Sequence, residues 1–220
     1  MNITALKNHF WKWFRRNADE YQLFFQAGPK EMVYLMNELD THLVAYCKYL
    51  AATLTHDANT GRILLTISAN GYARAFNRAD KLVAKAPVLP GWDIQSLQAP
   101  RAIDFLVHEF FPDVPIEPHR LWFTPLEKPA AGQRQDIRVY SELYSRDTLP
   151  GFGQAVRHIL MNVLGERTLG LDIGELRLAN TSEARRPEQL QRLEELPAFL
   201  GRRNSYILEV GEDGTLKQRY

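Results

Sequence analysis

"TLTHDANTGRILLTISANGYARAFNRADKLVAKAPVLPGWDIQSLQ", residues Thr53 to Gln98, decides the fold class. Two runs rich in β-branched residues, "TLTHDA" and "RILLTISA", flank Asn59-Thr60-Gly61, a turn in which Gly61 can take positive φ. They read as an antiparallel hairpin. Asn70-Gly71 ends the second strand, and Gly71 is expected in the left-handed region, which a residue without Cβ enters at low cost. In "YARAFNRADKLVAKAP" the apolar residues Phe76, Ala79, Leu82, Val83 and Ala86 recur at helical spacing. Pro87 and "LPGW" stop that helix, and "WDIQSLQ" reads as a strand returning beside its predecessor. This order combines local antiparallel pairing with a crossover, expected to be right-handed, so the class is α+β.

Upstream lies "HFWKWFRRNADEYQLFF" (His9–Phe25), dense in aromatic rings. With 3.6 residues per turn, Leu6, Phe10, Trp13, Phe14, Ala18, Tyr21, Phe24 and Phe25 share one arc. Lys12, Arg15, Arg16, Asp19 and Gln22 fall opposite, so the stretch reads as a helix packed on a core, its mixed-charge face in solvent. Trp13 is expected to be buried. Trp11 falls at the border of the arc, where an exposed ring would suit anchoring to a partner. A second helix starts after "AGP", with Pro29 in its first turn and Met32, Leu35, Met36, Leu39, Leu43, Tyr46, Cys47 and Leu50 along one side. The two helices are expected to form an N-terminal helical hairpin. Cys47, on the apolar stripe, reads as a small core residue rather than a nucleophile.

Downstream the order of elements recurs. "RAIDFLVHEFF" reads as a short helix, "RLWFTPLE" and "QDIRVYSELY" as strands, "LPGFGQAVRHILMNVLGE" as a helix and "LGLDIGELRLA" as a strand. Both halves thus predict ferredoxin-like strand-strand-helix-strand units, forming one or two antiparallel or mixed sheets with helices on one face. Residue identity between the halves is negligible. The chain is expected to be a single compact module over 1–220, with halves 1–100 and 101–180 and an extension 181–220. In that extension "RPEQLQRLEELPAFL" is expected to be helical around Leu190 to Leu196, "SYILEV" to be an edge strand, and "GEDGTLKQRY" to fray.

Composition narrows the function. The 220 residues carry 27 Lys and Arg against 26 Asp and Glu, a net charge of +1, which gives no global attraction for nucleic acid or an acidic membrane. One cysteine allows neither an internal disulfide nor a thiolate-rich metal cage. Charges appear from the start, without an apolar leader core, and no apolar run approaches the roughly 20 residues of a membrane helix. A cytoplasmic location is the expectation.

No motif with a strong mechanism is present. There is no phosphate-cradling G-x-x-x-x-G-K-[ST] and no G-x-S-x-G elbow, while "GFGQAV" (Gly151–Val156) lacks the third glycine of a dinucleotide loop and reads as a helix start. None of the six histidines stands at a paired metal-ligand spacing. The best polar cluster is on the second hairpin: His119, Arg120, Trp122, Arg138, Tyr140, Glu142 and Tyr144. Strand alternation points Arg138, Tyr140, Glu142 and Tyr144 outwards and Ile137, Val139 and Leu143 inwards. That is either a solvated sheet face or an aromatic-bearing groove for a ligand or peptide. Basic and aromatic residues also interleave in RNA-binding sheets, but no RNP1-like run occurs.

Several stretches resemble a full-length family of uncharacterised bacterial proteins, a domain of unknown function: "FWKWF" (Phe10–Phe14), "ISANG" (Ile67–Gly71) leading to "APVLPGW" (Ala86–Trp92), "VLGERTLGLDIGEL" (Val163–Leu176) and "LEELPAFL" (Leu193–Leu200). The resemblance implies a bacterial, soluble, single-module protein and brings no catalytic signature. No catalytic, cofactor-binding or metal-binding residue is assigned. The expected function is that of a non-enzymatic binding or regulatory module acting through a protein partner or a second copy of the chain. The alternative is an enzyme whose dispersed residues meet near the 119–144 hairpin.

Overall fold

The aromatic stretch folds as expected of an amphipathic sequence. In the computed structural model, which describes residues 3–57, 60–127, 133–145, 151–204, 208–210 and 216–218, it forms α1 (Ile3–Gln22). Phe10, Phe14, Ala18, Tyr21 and, just past the helix, Phe24 are buried, and α2 (Pro29–Tyr46) buries Leu35, Leu39, Leu43 and Tyr46. The Tyr21 hydroxyl joins the two by donating to the Leu35 carbonyl at 2.7 Å.

The two tryptophans exchange their expected places. Trp11 is only 5% exposed, because its Nε1 donates to the Leu82 carbonyl at 2.8 Å and draws the ring inwards. Trp13 is half-buried and stacks on His42 with ring centroids 3.9 Å apart.

The chain divides into two units, Met1–Pro100 with Gly165–Leu171 and Arg101–Leu164 with Asp172–Tyr220. In the first, β1 (Ala51–Asp57) pairs antiparallel with β2 (Arg62–Ser68), α3 (Ala73–Val83) follows, and β3 (Trp92–Ser96) lies parallel to β2. Of the turn residues, Gly61 has φ of 67° and Asn59 lies outside the described residues. Gly71 takes the left-handed conformation at φ 77°, and Asn70 joins it at φ 51°.

In the second unit "RAIDFLVHEFF" contracts to α4 (Val107–Phe110). The buried amide of Asn162 takes the Phe105 carbonyl at 2.9 Å, and Leu106 turns left-handed at φ 52°, so a longer helix cannot form. The strands β4 (Trp122–Pro125), β5 (Gln135–Ser141), β6 (Ile173–Asn180) and β7 (Gln191–Arg192) form a sheet in the order β6-β5-β4-β7. β4 and β5 are antiparallel, and β5 and β6 parallel. Between β5 and β6 runs α5 (Phe152–Asp172), broken at Gly165. Leu169–Asp172 is helical rather than strand, so β6 starts only at Ile173; Leu169 and Gly170 are buried, and Gly170 lies too close to Phe76 to carry a Cβ.

The architecture is α+β, with mixed sheets of three and four strands. In each, the parallel pair are direct neighbours. A ferredoxin-like unit would interleave another strand between them, so that finer expectation does not describe the pairing. The segment read as helical around Leu190 instead holds β7, fastened beside β4 by the Leu193 N–H on the Leu121 carbonyl; helix α6 (Leu196–Asn204) begins after it. At the end of the chain β8 (Leu208–Val210) pairs with β9 (Leu216–Gln218), so part of the stretch expected to fray is strand.

Candidate functional site

Alternation along β4 and β5 sorts the second sheet into two faces. Phe123, Ile137 and Val139 are buried at 1% exposure or less on one. On the other, register places Thr124 beside Arg138 and Arg138 beside Arg177, with Trp122 between Tyr140 and Arg192 in the next row. The Arg192 guanidinium lies over the Trp122 ring at 4.8 Å and donates to the His119 carbonyl at 2.8 Å. Arg177 is held by both carboxylate oxygens of Glu175.

Among the described residues Arg138 has no such partner. With Tyr140 it lines an open concavity of about 350 Å³, whose far side is the strip Ala184-Arg185-Arg186. A second concavity of about 340 Å³ shares Thr124, Pro125 and Gln189 with it and continues past Glu188. The two form one shallow trough along β4. No carboxylate among the described residues forms an ion pair with Arg138, Arg185 or Arg186. Three guanidiniums therefore line one open space, a geometry suited to carboxylates or phosphates. Tyr140, expected to point into solvent, is only 5% exposed and forms part of the trough's base.

The remaining hairpin candidates are engaged elsewhere. His119 hydrogen-bonds through Nδ1 to Glu194, with its Nε2 3.7 Å from Asp104. The bond to Glu194 raises the imidazole pKa, with the charges of Glu194 and Asp104 adding to it against some desolvation. Arg120 pairs with Glu117 and Glu142. Tyr144 packs on Phe152 with centroids 5.3 Å apart. These are surface ion pairs and a core contact, so Arg138 and Tyr140 alone of the seven reach the trough. Sequence reasoning missed Arg185 and Arg186; consecutive arginines before Pro187 are the signal that could have found them.

It also missed Glu166. This residue is fully buried, and Ser68 Oγ, Ala69 N, Gly71 N and Gln98 N all donate to its carboxylate at 2.6–3.1 Å. Its own N–H donates back to the Gln98 carbonyl at 2.8 Å. Gly165 makes this possible. It has φ of 73°, and a Cβ there would meet Pro100 at 2.8 Å. A carboxylate with four donors and no exposure ties the ends of β2 and β3 together and has no access to a substrate.

Cys47 is partly buried at the end of α2, and the "GFGQAV" glycine Gly151 takes φ of 90° as the residue capping the start of α5. Among the described residues no group of three His, Cys, Asp or Glu is placed to hold a metal ion, and no helix is long and apolar enough to cross a membrane. No protein-family model matches the chain, and neither the curated proteins nor the solved structures contain a significant match.

Proposed function

We propose that the chain is a non-enzymatic binding or regulatory module whose protein partner lays an extended acidic segment along the trough of the second sheet. The observation that carries this reading is the set of three arginines, Arg138, Arg185 and Arg186, which line one open space and form no ion pair among the described residues. Charge-assisted bonds to guanidinium are among the stronger polar contacts, and their planarity favours carboxylate oxygens. A trough rather than a closed pocket suits a chain segment better than a small substrate. Tyr140 adds an apolar surface with a polar tip, the composition of an interface anchor.

A fluorescent glutamate-rich peptide tests the reading by anisotropy, against a lysine-rich peptide and a single-stranded RNA of equal length. The acidic peptide is expected to bind saturably, and Arg138→Glu with Arg185→Glu to abolish binding while the thermal midpoint is retained. Equal binding by wild type and variant overturns the proposal. Tighter binding of the RNA would replace the protein partner with a nucleic acid.

A further inference from the structure

The first unit holds a separate concentration of positive charge. Lys12, Arg15 and Arg16 lie on α1, and Lys85 follows α3; together with Trp11 and Pro87 they line one concavity of about 330 Å³. All four cationic side chains are exposed. None forms an ion pair among the described residues, although Asp19 and Glu20 lie within two turns on the same helix. Two other guanidiniums of this unit are neutralised, Arg62 by Asp93 and Arg167 by Asp80, each at 2.8 Å.

Like charges three and four residues apart destabilise a helix, and Lys12, Arg15 and Arg16 stand at that spacing. The negative end of α3 does not answer them. Three of its last carbonyls are already occupied, with Trp11 Nε1 and Lys85 N on the Leu82 oxygen, Ala84 N on that of Asp80 and Ala86 N on that of Val83. The same Trp11 bond fixes the indole, which with Pro87 gives the concavity a firm wall beneath the four cations.

We propose that this concavity binds a phosphate group carried by a small soluble molecule or a lipid head group. Two guanidiniums and two ammonium groups match the charge and oxygen count of a phosphate monoester better than those of a single carboxylate. The inference is independent of the trough on the second sheet and shares no residue with it.

Backbone amide shifts of the ¹⁵N-labelled full chain provide the test, with glycerol phosphate as the probe and sodium chloride matched in ionic strength as the reference. Saturable shifts centred on Lys12, Arg15, Arg16 and Lys85 are expected. Arg15→Glu and Lys85→Glu should each weaken binding about tenfold or more, the loss of one charge-assisted contact. Neither should lower the melting temperature by more than about a degree or two, and Arg138→Glu should leave phosphate binding intact. Sedimentation with vesicles containing phosphatidic acid identifies the source: retention by vesicles at probe concentrations that leave the soluble phosphate unbound assigns a lipid head group, and the reverse assigns a soluble molecule. Neither form binding, or shifts that chloride reproduces, overturns the site.

Discussion

The loops after the two central strands, β2 and β5, start alike and then diverge. Each strand ends in a serine whose hydroxyl accepts the N–H two residues on: Ser68 from Asn70 at 2.9 Å and Ser141 from Leu143 at 3.1 Å. After Ser68 the backbone turns through left-handed Asn70 and Gly71, and the N–H groups of Ala69 and Gly71 converge on the Glu166 carboxylate. After Ser141 the carbonyls of Glu142 and Tyr144 converge instead, and the amide of Asn180 at the end of β6 donates to both, at 2.9 and 3.0 Å. One loop presents donors and is bound by an acid; the other presents acceptors and is bound by an amide. The same strand-strand-helix-strand order can therefore be closed with either polarity, and the dihedrals of two or three loop residues decide which.

The largest effect is expected at Glu166. Glu166→Ala takes the carboxylate from one buried N–H group, that of Ala69, and from two part-buried ones, those of Gly71 and Gln98, and an unsatisfied buried donor costs about 1–3 kcal/mol, so a loss of about 3 kcal/mol in urea unfolding is expected. A loss below about 1 kcal/mol would mean that water replaces the carboxylate and that the closure is not specific. Asn180→Ala sharpens the contrast. Its acceptors sit at a more accessible loop, where water can take over, so a loss of about 1 kcal/mol is expected from the same measurement. Equal losses in the two variants would remove the distinction between a sealed and a wet closure.

The smallest effect is in pH dependence, where two histidines should act with opposite sign. Burial, then the neighbouring His9, lowers the pKa of His42, so the folded chain declines a proton that the unfolded chain accepts. Stability should fall as pH drops below the ordinary value of 6.5, and His42→Gln should flatten that fall. The Glu194 bond raises the pKa of His119, so its contribution is whole below 6.5 and is lost as pH rises through the folded value. His119→Gln should cost most in acid and nothing well above the folded pKa. Melting temperatures of the three proteins over about pH 5–8 would show it, and parallel curves for both variants would refute the pairing.

What was legible in the sequence is what local chemistry decides. The first hairpin, Gly71 and the amphipathic faces of α1, α2 and α3 follow from spacing and turn residues a few positions apart. Glu166 was illegible because Ser68 stands 98 residues earlier and Gln98 stands 68. Trp11 failed for the same reason: a helical wheel assigns an angle, while its burial depends on a carbonyl 71 residues away. Arg138 and Tyr140 are legible as part of an alternating strand, whereas Arg185 and Arg186, which line the same concavity, lie between two single-turn segments too short to show a period.

Gly165 has one further consequence, for the order in which the protein is made. The ribosome delivers Met1–Pro100 first, with β1, β2, α3 and β3 complete, but the acid that binds the β2 and β3 loops is the 166th residue translated. Until then Ala69, Gly71 and Gln98 offer their N–H groups to water or to whatever anion is at hand. Cutting the gene after codon 100 removes the same residue permanently. The first unit is therefore a body whose keystone is encoded inside its neighbour, and it can close only after most of that neighbour has left the exit tunnel.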